Sequence, residues 1–113
     1  MLTVDALREY GADVNDGLGR CMNNEAFYLK LVRMMLEDKN FSALKDALDA
    51  HDLDAAFSHA HALKGVAANL AITPVFGPVS EMTELLRART ETDYSELYAA
   101  AEKAMEGLRT LAE

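Results

Sequence analysis

Disulfide chemistry is the first thing this sequence excludes: it has one cysteine, Cys21, and so no internal partner for it. A reducing cytoplasm is the expected setting. Long hydrophobic runs are missing too, and none approaches the roughly 18 residues needed to span a bilayer. The opening stretch MLTVDALREYGADV lacks a basic n-region and a long apolar segment, so no signal peptide is expected. Positive charge is scarce. Eleven Lys and Arg stand against 19 Asp and Glu, for a formal charge of −8. That balance speaks against a nucleic-acid footprint and against docking on anionic lipid, while leaving a protein partner open. There is no Walker-type glycine loop and no kinase-like nucleotide fingerprint, so use of ATP is not expected. No internal repeat or low-complexity segment interrupts the chain.

Two prolines and six glycines punctuate 113 residues, and Ala, Leu, Met, Glu and Lys are abundant, which favours helix. The length fits one domain over residues 1–113, with a bundle core at roughly 24–112. Such a chain buries a core without disulfide or metal staples, which become necessary below about 40 residues. A short helix is expected from Leu2 to Tyr10, then a loop through GADVNDGLGRCMNN holding at most one irregular turn. Asn24 caps the next helix, with Phe27, Leu31, Met34 and Met35 along its apolar side to about Asp38. Ser42 is the expected cap of a helix presenting Leu44, Ala47 and Leu48, and Asp52 that of a central helix over about Leu53–Ile72. Thr73-Pro74 reads as a cap and first helical residue, with a kink or a later start at Pro78. Asp93 caps a last helix from about Tyr94 to Ala112, with Leu97, Ala101, Ala104, Leu108 and Leu111 on one side. Sustained strand alternation is absent. The fold class is all-α: an antiparallel four-helix bundle with additional short helical pieces at the N-terminus.

The segment FSHAHALKGVAANL (57–70) holds two histidines and a glycine inside a helical pattern. On a wheel at about 100° per residue, the apolar arc of Ala55, Ala56, Ala60, Ala62, Leu63, Val66, Ala67 and Leu70 centres roughly opposite His61. His59 falls inside that arc and is expected to pack, with a ring nitrogen bonded to a neighbour. His61 is expected to face water. Asp54, Phe57, Ser58, Lys64, Gly65 and Ala68 share its face. An interior helical glycine costs roughly 1 kcal/mol against alanine, and here the missing side chain clears space beside the imidazole. Lys64 can swing a cation toward an anion on His61, and Phe57 offers aromatic surface of the kind interfaces favour. A lone exposed histidine is ordinarily just a surface residue, and helical surfaces carry many lysines. The residues alone leave both readings open.

HALKGVAANL resembles the signature of the histidine-containing phosphotransfer (HPt) family, in which a phosphoaccepting histidine precedes a Leu-Lys-Gly run and small residues. GLGRCMNNEAFYLKLVRMMLED and LKDALDAHDLDAAFSHAHALKG resemble the segments before that motif, so the likeness runs from about Val14 to the C-terminus. Val66 and Ala67 stand where the family often has serine, and Ala71 where it often has glycine. The resemblance implies a four-helix bundle that relays phosphoryl groups between receiver-domain aspartates, or from a hybrid sensor histidine kinase to a response regulator. By the same resemblance, His61 alone is the phosphoacceptor; given that role, the residues sharing its face are read as Lys64 stabilising phosphoryl charge, Gly65 giving steric access, and Asp54, Phe57, Ser58 and Ala68 bordering the partner surface. The acceptor aspartate and its Mg²⁺ belong to the partner, and this chain is expected to bind no cofactor itself.

Rival chemistries fit less well. A metal site would need ligands three or four apart on one helix, but His59 and His61 are two apart and point oppositely. His51 lies near the helix start, and no HxxxH or CxxC exists. Cys21 has no evident local base. The stronger rival is a bundle that docks on a receiver or kinase without carrying phosphate. It would keep Phe57 and the flat Gly65/Ala68 surface but would need neither His61 nor Lys64. Met22, Met34, Met35, Met82 and Met105 are read mostly as core filling, and Glu81, Glu84, Arg87 and Arg89 as an exposed helical face with a weak Glu84–Arg87 pair. A monomer is expected.

Overall fold

A computed structural model describes all 113 residues as seven helices: α1 (Val4–Tyr10), α2 (Val14–Arg20), α3 (Glu25–Leu36), α4 (Asn40–Asp49), α5 (Leu53–Leu70), α6 (Thr73–Arg87) and α7 (Ser95–Ala112). The all-α expectation holds. α5 packs most extensively against α4 and α6, and α6 against α7. Tyr28 of α3 bonds to Leu70 of α5, while Asn40 of α4 bonds to His59. Since 28 pairs with 70 and 40 with 59, α3 and α4 run in series antiparallel to α5 and form one interrupted column. The bundle therefore has four columns: α3–α4, α5, α6 and α7. None of the helices is long and apolar enough to cross a membrane.

Capping explains most of the boundaries. Asn24 and Asp52 accept hydrogen bonds from the amides of Phe27 and Ala55, as expected. Ser42 does not cap α4: its hydroxyl donates to the Lys39 carbonyl, and the Asp38 carboxylate takes the Asn40 amide instead. Nor does Thr73 cap α6. That helix begins at Thr73 after Ile72, with no side-chain cap, and Pro74 sits in its first turn. The helix continues through Pro78, whose ring removes a single donor near the N-terminal end. Asp93 accepts the Ser95 amide, although Tyr94 holds the cap position itself. α5 stops at Leu70 because Ala71 turns left-handed, at φ 55°.

Two further expectations fail. The stretch after Tyr10 is not loop with one irregular turn but contains α2, seven residues long and capped by Asp13. It is held by Gly17, where an added Cβ would meet the Tyr28 ring at 2.6 Å and the Leu70 carbonyl at 2.7 Å. The apolar side of α3 is also rotated. Tyr28, Val32 and Met35 are buried, whereas Phe27 and Met34 are 41% and 57% exposed. Burying Tyr28 satisfies its hydroxyl, which donates to the Leu70 carbonyl at 2.9 Å. Met35, Met82 and Met105 are core residues, while Met22 and Met34 are not. In α7 the buried residues are Tyr98, Ala101, Met105 and Leu108, with Leu97, Ala104 and Leu111 packed at the edge.

Candidate functional site

The two histidines of α5 have opposite surroundings. His59 is half-buried toward α4, with its Nδ1 2.8 Å from the Asn40 Oδ1. His61 is exposed, in the middle of an 18-residue helix. The fully buried residues of α5 are Ala56, Ala60, Leu63, Ala67 and Leu70. On the helical wheel they centre roughly 40° round from the expected arc, toward Phe57 and Lys64. α6 covers that flank, so Phe57, Lys64 and Ala68 are half-buried, while Asp54, Ser58 and Gly65 are exposed.

Phe57, one turn before His61, stacks on the imidazole with centroids 5.6 Å apart and planes at 23°. The ring is not open aromatic surface as expected. The guanidinium carbons of Arg87 and Arg89 lie 5.1 and 5.0 Å from its centroid. Arg89 adopts a left-handed φ of 54° just past α6. From there its Nε donates to Asp54 Oδ1 at 2.6 Å and its Nη1 to the Leu86 carbonyl at 2.8 Å. Ser58 donates to the Asp54 carbonyl.

Lys64 is ion-paired. Its Nζ donates to Glu84 Oε2 at 3.2 Å, and the other oxygen, Oε1, accepts Arg87 Nε at 3.4 Å. Hydrogen bonds from Lys64, then from Arg87, hold the Glu84 carboxyl below its ordinary range. Gly65 has nothing within 4 Å of where a Cβ would stand. Gly19 and Gly77 are equally open, so what sets Gly65 apart is its position one turn beyond His61. Ala68 lines a shallow hollow of about 210 Å³ with Asp13, Asp16, Ala71 and Phe76. A larger cavity, about 650 Å³, lies at the α4–α5 and α6–α7 turns around His51 and Tyr98, and His61 is not part of it.

The structure thus gathers Asp54, Phe57, Ser58, His61, Lys64, Gly65 and Ala68 on one face, as their spacing predicts. It adds Glu84 and Arg87 from α6 and Arg89 just past its end, which the sequence pattern presents only as an exposed helical face. Register carried that signal. α5 and α6 are joined by only Ala71 and Ile72, so antiparallel partners have numbers whose sums stay within about one helical turn of each other: 54 with 89, 57 with 87, 64 with 84. This face can present a solvent-accessible imidazole to a second molecule. It offers a cation on one side of the imidazole and bare backbone on the other.

A family model described as Hpt domain matches residues 30–111. None of the curated proteins matches the chain, and none of the solved structures does.

Proposed function

This chain belongs to the Hpt domain family, and on that premise we propose that it is a phosphocarrier whose His61 relays a phosphoryl group between receiver-domain aspartates, or from a hybrid histidine kinase to a response regulator. The family's domains take part in phosphorelay signalling and interact with receiver domains. The observation that carries the reading is the contrast between the histidines. The His59 ring is engaged by Asn40, whereas His61 is exposed beside the empty flank of Gly65.

Phosphoryl transfer asks a protein mainly for positioning and charge stabilisation. A ring nitrogen of His61 attacks the phosphorus of the partner's aspartyl phosphate in line. Its lone pair forms the N–P bond. The P–O bond to the aspartate breaks, and that electron pair returns to the aspartate as carboxylate. The proton on the other ring nitrogen stays with the imidazole. Lys64 offsets charge on the phosphoryl oxygens, and Gly65 admits the partner's active-site loops. Asp54, Phe57, Ser58 and Ala68 border the surface on which the partner sits. The Mg²⁺ that serves the acyl phosphate belongs to the receiver domain, and this chain spends no ATP of its own.

The test is transfer from a phosphorylated receiver domain to the wild type and to His61→Gln and His59→Gln variants. The expected result is acid-labile, base-stable label on the wild type and on His59→Gln, and none on His61→Gln. Receiver binding without label, across a broad panel of donors, would instead make the chain a docking module.

A further inference from the structure

Lys64 is not a free cation waiting for an anion. Its side chain is only 28% exposed, and its amine sits on the Glu84 carboxylate of the neighbouring helix at 3.2 Å. Glu84 divides its two oxygens between partners: Oε2 takes Lys64, and Oε1 takes Arg87 at 3.4 Å. If Lys64 leaves, the carboxylate keeps Arg87 and is not orphaned. Lys64 therefore has an occupied position on Glu84 and, three residues from His61 on the same helix face, a second position on any anion attached to that histidine. Both helices are fixed by the two-residue turn between them, so only the lysine side chain needs to move.

Resting on the reading of His61 as phosphoacceptor, we infer that Glu84 is an internal counter-ion that competes with the phosphoryl group for Lys64 and so sets how firmly phosphohistidine is held. A carrier must release what it accepts. An uncontested lysine would favour the loaded form and slow onward transfer, whereas a carboxylate that reclaims the lysine favours discharge. The transfer step is the one written above: the N–P bond forms as the aspartyl P–O bond breaks, and the reverse on discharge. Glu84 enters neither bond. It changes only the difference in charge stabilisation between the loaded and empty carrier.

The experiment equilibrates a receiver domain, phosphorylated with labelled acetyl phosphate, with the wild type and with Glu84→Gln and Glu84→Asp variants. The readout is the ratio of labelled carrier to labelled receiver. For a half-exposed pair the expected rise in Glu84→Gln is about two- to fivefold. Glu84→Asp, which keeps the anion, stays near the wild-type ratio. In a Lys64→Gln background the Glu84→Gln rise shrinks toward nothing, because the two substitutions act through one contact. An unchanged or lowered ratio in Glu84→Gln overturns the inference. So does an equal rise in Glu84→Asp, or a rise that persists undiminished without Lys64. Absence of label from His61 in the wild type overturns the proposed function, and this inference with it. Label in the wild type with no shift in Glu84→Gln overturns the inference alone.

Discussion

Phe57 is the hinge between the two helices of the site: it stacks on His61 at 5.6 Å within α5 and receives both Arg87 and Arg89 from the α6 side at about 5 Å. The imidazole thus rests on a ring that is itself clamped. Replacing Phe57 with Leu keeps apolar bulk but removes the stacking platform and the cation–π partner. It is expected to cost about 1 kcal/mol of stability and to slow phosphoryl transfer several-fold. Urea denaturation and single-turnover transfer, run on the same preparations, check the two effects.

Gly65 separates stability from activity. It is helical and exposed, and a Cβ there meets nothing. Gly65→Ala should therefore stabilise the fold by up to ~1 kcal/mol. In the proposed role the same methyl intrudes on the partner. Transfer from a receiver should fall, and fall further in Gly65→Gln, while direct phosphorylation of His61 by the small donor phosphoramidate stays near wild type. A transfer rate that does not change with side-chain size at residue 65 would remove steric access as the reason for glycine.

Alkaline pH should destabilise this protein from the ordinary tyrosine range upward. Tyr10, Tyr28 and Tyr98 are pushed up to about 12 by burial. Their hydroxyls donate to the carbonyls of Ala104, Leu70 and Phe41. In the unfolded chain these phenols ionise near 10. Above that pH the unfolded state loses protons that the folded state still holds, so stability falls as pH rises from 10 toward about 12. Below 10 the contribution is fully present. Urea midpoints measured across this window should drop steadily, and the drop should be shallower in Tyr28→Phe, which has one fewer raised phenol.

The periodicity of α5 made its face legible, because eighteen residues with one small-residue stripe leave little freedom. His59 and His61 were separable on the wheel for that reason. What the wheel missed was the rotation of the buried arc toward Phe57 and Lys64. Hydropathy averages both flanks of a helix and does not say which flank a neighbour covers. Arg87 and Arg89 looked like ordinary surface charge because their partners, Phe57 and Asp54, lie some thirty residues away in sequence. On α3, Phe27/Leu31/Met34 and Tyr28/Val32/Met35 are equally regular stripes. The choice between them rests on a tertiary contact, the Tyr28 hydroxyl on Leu70, that no local pattern encodes. α2 was hidden by its two glycines, which signal a turn in isolation, although here Gly17 permits the close approach of Tyr28 and Leu70.

The contact between Gly17, Tyr28 and Leu70 bears on where this domain starts. The family match begins at residue 30, after all of α1 and α2 and the first turn of α3. Yet the carbonyls at the end of α5 are satisfied from that earlier segment: Leu70 by the Tyr28 hydroxyl, and Ala71 by the Asp13 amide at 2.9 Å. A polypeptide starting at residue 30 would lack both donors, and it would uncover the end of the helix that carries His61. The packed core of this chain therefore reaches further toward the N-terminus than the residues the family model matches, and the early helices serve as the end plate of the bundle.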